Sequence, residues 1–175
     1  SASIRPIAGV QNIQADIRDY DATMAALKGY QFDVVVEWIG FEPDHILKDI
    51  KLFGEITKQY VYISSASIYE TPPQKLPITE ATELSNPFWE YSRNKISCEE
   101  FLKEKAEEHG MNYTIVRPSH TYDKTLLPFD EGYTVIDRML KGKPVVVLGD
   151  GTSIWTLTHH RDFAVGLIGL LGNGK

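Results

Sequence analysis

Apolar positions along the chain fall into short runs that alternate with segments of helical period, and the alternation is regular. Val10 to Asp16 reads as a short strand, and Asp21 is placed to cap a helix from Ala22 to about Lys28, ended by Gly29. "FDVVVEWIG" is a continuous β-branched run of the kind buried in a parallel sheet. Pro43 then opens a helix to about Phe53, with Gly54 behind it. "QYVYISS" predicts a third strand, Trp89 to about His109 a long helix closed by Gly110, and "NYTIVRP" a fourth strand. Thr134 to Leu140 reads as helix, Pro144 to Leu148 as a fifth strand, and Arg161 to about Leu171 as a last helix. Strands alternating with helices predict an α/β fold, a doubly wound parallel sheet with helices on both faces. Two stretches, Tyr69 to Phe88 and Ser119 to Gly132, are too long to be plain connectors. Loops of that length at the carboxyl ends of parallel strands are where such folds bind ligands.

Composition narrows the function classes. The chain has 175 residues, near the size of one domain, and a formal net charge of −6, which argues against a broad basic face for nucleic acid. Cys98 is the single cysteine, so an internal disulfide and a cysteine-based zinc cage are excluded, which suits a reducing cytoplasm. The longest apolar stretch, Phe163 to Gly172, falls well short of the roughly 20 residues that span a bilayer, and no membrane partner is expected. The start, Ser-Ala-Ser, carries no secretory signal and suggests a chain processed, tagged or cut from something longer. His159 and His160 are adjacent without carboxylates at ligand spacing, so no metal site is expected. The charged run Glu99 to Glu108 reads as a solvated helix face.

Candidate chemistry centres on "EYSRNK", in which Tyr91 precedes Lys95 by four residues. On a helix, Tyr91, Lys95, Cys98 and Leu102 share one face. An ammonium close to a phenol favours the phenolate and is expected to draw the tyrosine below its usual value of about 10, which suits proton transfer to and from an alcohol. With nine tyrosines in the chain, chance supplies roughly 0.6 such pairs, so the spacing is weak evidence alone. It is joined by "YVYISSASIYE", where a strand ends in Ser64, Ser65 and Ser67. A hydroxyl at a strand's carboxyl end can bond a substrate oxygen while a phenolate handles its proton, the division of labour that hydride transfer at a carbinol carbon needs.

Together these motifs resemble the extended or atypical short-chain dehydrogenase/reductases of the NAD-dependent epimerase/dehydratase group, and the likeness runs over most of the chain. The resemblance implies that Asp16 and Ile17 of "QADIRD" meet an adenine ring, and that "DVVVEWIG" runs beneath a dinucleotide, bringing Trp38, Ile39 and Gly40 to it. It implies Ser65 as the active-site serine, Tyr91 and Lys95 as the tyrosine and lysine, with Lys95 also holding the nicotinamide ribose. Arg117 and Pro118 of "TIVRPSHTY" would precede backbone contacts to the carboxamide, and Pro118, Ser119 and His120 join the cofactor set. The implied cofactor is NAD or NADP, and the implied substrate a small molecule, a sugar or sugar nucleotide. Residues 1–148 would form an N-terminally incomplete Rossmann-like domain, and residues 149–175 the start of the substrate-side region. A homodimer through the helix bearing Tyr91 would fit the family.

Three departures qualify the likeness. The glycine-rich turn that grips a pyrophosphate is absent, as though the first βαβ unit were missing. Trp38 stands where the family commonly has a small residue, and either reshapes the pocket or packs in the core. Trp155 occupies the place where sugar-nucleotide enzymes of the group carry an arginine, whose charge an indole cannot replace. The rival expectations are a cofactor-sensing or RNA-binding protein that keeps the fold without turnover, and an inert fragment with an exposed sheet edge.

Overall fold

The computed structural model describes residues 7–129, 131–147, 149–152 and 154–173. Its centre is a parallel sheet of three strands in the order β1 (Val35–Glu37), β2 (Tyr60–Ile63) and β3 (Tyr113–Val116). Val36 lies opposite Val61, and Val61 opposite Thr114. Helix α2 (Pro43–Phe53) follows β1, and α3 (Glu90–His109) follows β2; the two pack side by side. Pro43 starts α2 at a position where its missing N–H costs nothing, and Ile46, Asp49, Ile50 and Phe53 recur at helical spacing along its buried face. Gly110, at φ 63°, closes α3 in the left-handed conformation that glycine adopts without strain.

Alternation along β2 sorts the two faces of the sheet. Tyr60 and Tyr62 point toward α2 and α3, where they join Ile46, Ile50, Cys98, Leu102 and Ala106 in the core. Each fully buried aliphatic side chain there contributes about 1.5–3 kcal/mol. Gln59 and Val61 face the other way. Gln59 bonds the Leu170 carbonyl at 3.1 Å and the Gly172 N–H at 2.7 Å, so the end of α5 (His160–Leu170) meets the opposite face. Shorter elements complete the described chain: α1 (Tyr20–Ala26), α4 (Tyr133–Leu140), and a two-stranded parallel sheet of β4 (His120–Tyr122) and β5 (Leu157–His159).

Several expectations are corrected. Val10 to Asp16 is not a strand; Val10 is 53% exposed, and among the described residues no strand lies alongside to take its backbone bonds. The cap of α1 is Asp19, whose carboxylate accepts from the Ala22 N–H at 3.1 Å, rather than Asp21. Residues 144–147 are not a strand either, and Leu148 lies outside the described residues. Val146 and Val147 are largely exposed, and the Pro144 carbonyl instead accepts from Arg138 at 2.8 Å. The pairing of β4 with β5 was not foreseen, because three-residue strands leave almost no periodic trace. Glu99 is wholly buried, so the Glu99 to Glu108 run is solvated only on its outer side.

Candidate active site

The carboxyl ends of β1, β2 and β3 bring most of the predicted residues near one another, His120 excepted. Ser65 follows β2 and caps the 3-10 turn Ala66–Ile68, accepting from the Ser67 N–H at 3.2 Å. Tyr91 and Lys95 lie one turn apart near the start of α3, as their spacing requires. Phe41 and Trp89 wall the phenol, with ring centroids 6.3 and 4.8 Å from that of Tyr91.

Lys95 is 1% exposed and does not point its ammonium at the phenol oxygen. Its Nζ donates to the carbonyls of Gly40 and Ile63, each at 2.8 Å, and lies 5.8 Å from the centre of the Tyr91 ring. It thereby ties the loop after β1 to the end of β2. Burial pushes Lys95 down to about 8. The half-buried Tyr91 is raised by desolvation, while hydrogen bonding with Ser65 pulls it back. The downward pull expected from Lys95 is therefore absent in this arrangement, and Ser65 is the group that favours the phenolate.

Loop residues assemble around this centre. Gly40 sits so close to its neighbours that an added Cβ would lie 3.0 Å from Ile46 Cδ1 and 3.2 Å from Tyr62 Cε2. Trp38 is 53% exposed, with its ring edge-on to Phe163 at 5.9 Å, so it is not a core residue. Ile39 is also exposed, and its carbonyl accepts from Arg18 Nη2 at 2.5 Å. That bond draws the segment of Asp16 and Ile17 to the same sheet end, where the Asp16 carboxylate accepts from the Arg18 N–H at 3.0 Å. A cavity of about 420 Å³ opens at the ends of β2 and β3, lined by Ala66, Tyr69, Arg117, Pro118, Ser119 and Phe163 among others. His120 stands apart from it, exposed, with its ring 6.1 Å from that of Trp155. Among the described residues no three His, Cys, Asp or Glu side chains come together to hold a metal ion, and no helix is long and apolar enough to cross a membrane.

Sequence reasoning missed the buried charges. Glu99 accepts a two-pronged bond from Arg117, Nε to Oε1 at 2.9 Å and Nη2 to Oε2 at 2.6 Å, which locks α3 to the end of β3. Asp49, wholly buried, accepts from the Tyr60 hydroxyl at 2.8 Å, while its other oxygen has no hydrogen-bond partner among the described residues. Burial first, and then the nearby Glu37, push Asp49 up to about 8. Asn86 and Ser92, also buried, lie behind the serine cluster. Nothing in the periodicity flags these residues beyond the polar breaks they make in apolar stripes.

The sequence of the NAD dependent epimerase/dehydratase family matches this chain over residues 50–175. The chain belongs to this family. Among curated relatives, the chloroplast stem-loop binding protein of 41 kDa b from Arabidopsis thaliana is 28% identical over 167 residues, covering 95% of this chain and 42% of that protein. UDP-glucose 4-epimerase of Lactobacillus helveticus is 30% identical over 121 residues, covering 59% of this chain and 36% of that protein. The chain thus spans less than half the length of these two relatives. Solved structures share its Rossmann-like fold. UDP-glucuronic acid 4-epimerase from Bacillus cereus in complex with NAD superposes with a TM-score of 0.73 at 22% identity, over 92% of this chain and 55% of that one. dTDP-glucose 4,6-dehydratase from Bacillus anthracis superposes with a TM-score of 0.77 at 18% identity, over 93% of this chain and 55% of that one.

The residues present fit the nicotinamide-ribose half of an NAD molecule. The cavity of about 420 Å³ beside Pro118 and Ser119 has room for a nicotinamide ring, and Lys95 keeps one of its three N–H donors beyond the two spent on carbonyls.

Proposed function

We propose that the protein carrying this chain is an NAD-dependent oxidoreductase of the epimerase/dehydratase type, acting at a carbinol or carbonyl carbon of a sugar or sugar nucleotide. The observation that supports it most is the convergence of Ser65, Tyr91 and Lys95 at the carboxyl ends of β1 and β2. Bound NAD would supply the acceptor for the carbon-bound hydrogen. Tyr91 would take the substrate's hydroxyl proton, and return it in the reverse direction. Ser65 would donate to the substrate oxygen as charge develops there. Lys95, held by the Gly40 and Ile63 carbonyls, would fix the loop after β1 and offer its remaining N–H to a ribose hydroxyl.

Cofactor contacts are assigned on this reading to Asp16, Ile17, Trp38, Ile39, Gly40, Tyr91, Lys95, Pro118, Ser119 and His120. The walls of Phe41, Trp89 and Tyr91 are apolar and aromatic, which suits the flat faces of a sugar ring. The exposed Trp155 offers a stacking surface rather than a charge to a nucleotide. The test is Tyr91→Phe in the full-length protein, with NAD and a panel of UDP- and dTDP-sugars. A fall in kcat of about 10²–10⁴-fold is expected. Full turnover would overturn the reading.

A second reading has one finding in its favour: the relative matching 95% of the chain carries the name of a stem-loop binding protein. Under it, this fold would hold a nucleic-acid stem-loop without turnover. The net charge of −6 weighs against it. A salt-dependent gel shift with a stem-loop RNA at low micromolar protein, together with no turnover of any sugar nucleotide, would favour it over the enzyme.

A further inference from the structure

Behind Ser65 lies a line of polar side chains that the roles assigned above do not use. Asn86 begins it. Its Oδ1 accepts from the N–H groups of Phe88 at 3.1 Å and Trp89 at 3.2 Å, so its orientation is fixed and its Nδ2 must face inward. That Nδ2 donates to the Ser67 carbonyl at 2.8 Å and to Ser92 Oγ at 3.4 Å. Ser92, 0% exposed, passes its own hydrogen to Ser67 Oγ at 2.8 Å. Ser67 Oγ, already an acceptor, has its hydrogen free for Ser65 Oγ at 2.9 Å.

A hydroxyl carries one donor and two acceptor positions. With Ser67 as the donor of this pair, Ser65 Oγ receives both the Ser67 hydroxyl and the Ser67 N–H, which fill its acceptor side. Its one hydrogen is then left for a partner outside the chain, and the hydrogen bonding with Ser65 that pulls the Tyr91 phenol down makes Tyr91 that partner. Burial of Asn86 and Ser92 shelters the inner bonds of the chain from water, while Ser65 and Ser67 are half-buried at its outer end.

We propose that Asn86, Ser92 and Ser67 are positioning residues, forming a one-way hydrogen-bond chain that commits the Ser65 hydroxyl to donate toward the substrate oxygen and the Tyr91 phenol. This rests on the reading of Ser65 and Tyr91 as the reacting groups. Without the chain, Ser65 would be free to rotate and present a lone pair instead, which repels the developing oxyanion rather than stabilising it. The arrangement also explains why a serine occupies position 92, where an apolar side chain would otherwise suit a fully buried site.

Two readouts in the full-length protein test it. The first is steady-state kinetics of Ser67→Ala, Ser92→Ala and Ser67→Thr. The two alanine variants are expected to lose about fivefold to tenfold in kcat with KM little changed, and threonine, which keeps the hydroxyl, to retain turnover. The second needs neither cofactor nor substrate: the Tyr91 phenol is titrated by NMR on protein labelled at tyrosine Cζ, with Tyr91→Phe assigning the signal. Ser67→Ala and Ser65→Ala are both expected to raise the titration midpoint, and Ser67→Thr to leave it in place. A Ser65→Ala shift that Ser67→Ala fails to reproduce in a folded protein overturns the chain. Full turnover in Tyr91→Phe overturns the enzyme reading instead, and the titration then decides the hydroxyl chain by itself.

Discussion

Glu99→Gln is the substitution whose cost the structure specifies most directly. Glu99 is wholly buried in the middle of α3, and the Arg117 side chain facing it is only 16% exposed. Two short bonds join them, and the remaining Arg117 nitrogen donates to the Tyr69 hydroxyl at 3.0 Å. The carboxylate holds the guanidinium above its already high ordinary value. Glutamine keeps the shape and one acceptor oxygen but removes the charge, and leaves a largely buried arginine that cannot give up its proton. Breaking such a pair by removing one partner costs about 3–5 kcal/mol, and glutamine's surviving bond places this case near about 3 kcal/mol. Lys103, 3.6 Å from Glu99 but 43% exposed, is solvated enough that its loss as a partner adds little. Replacing both residues, as Glu99→Leu with Arg117→Met, should leave stability within about 1 kcal/mol of the parent, because the desolvation of both charges is relieved together. Urea unfolding followed by circular dichroism at neutral pH measures all of these, with unchanged m-values certifying a common unfolded state. A loss below about 1 kcal/mol for Glu99→Gln, the size found for exposed pairs, would refute the argument, as would a double variant worse than either single one.

Two further outcomes follow from other parts of the same core. Asp49 is pushed up to about 8, so between roughly pH 4 and 8 the folded state holds a proton that the unfolded chain has released. Its contribution to stability is therefore greatest at acid pH and is lost as pH rises through about 8; Asp49→Asn should flatten that slope and unfold later than the parent at pH 9, which thermal melts from pH 5 to 9 would detect or deny. Gly40→Ala should cost about 1–3 kcal/mol by forcing a methyl to within 3.0 Å of Ile46 Cδ1 and 3.2 Å of Tyr62 Cε2, and NAD titration should weaken with it because the same loop carries Ile39; an alanine variant with parental stability and affinity would show that the loop gives way freely.

Much of the architecture is legible in the chain because it is written locally. The β-branched run of Val35 and Val36, the proline opening α2 and the glycine closing α3 each act through the backbone of their own or adjacent residues. The four-residue spacing of Tyr91 and Lys95 likewise becomes one helix face wherever a helix forms. The failures share a cause. An alternating stretch such as Val10 to Asp16 becomes a strand only beside another strand about 4.8 Å away, and alternation says nothing about whether that neighbour exists.

The site divides the same way. Which residues are candidates for chemistry was readable from residue type and motif order, but their electrostatic state was not. Lys95 meets the Gly40 carbonyl across 55 positions and that of Ile63 across 32, and these bonds, with burial, decide where the ammonium points. Arg117 finds Glu99 across 18 positions, and Asn86 reaches Ser67 across 19. Sequence by itself determined the central strands and the long helices, since these depend on neighbours along the chain, and it named the residues proposed as reactive groups. Tertiary structure alone decided which charges are buried and which partner each one takes, because burial and hydrogen bonding sum over residues that only folding brings together.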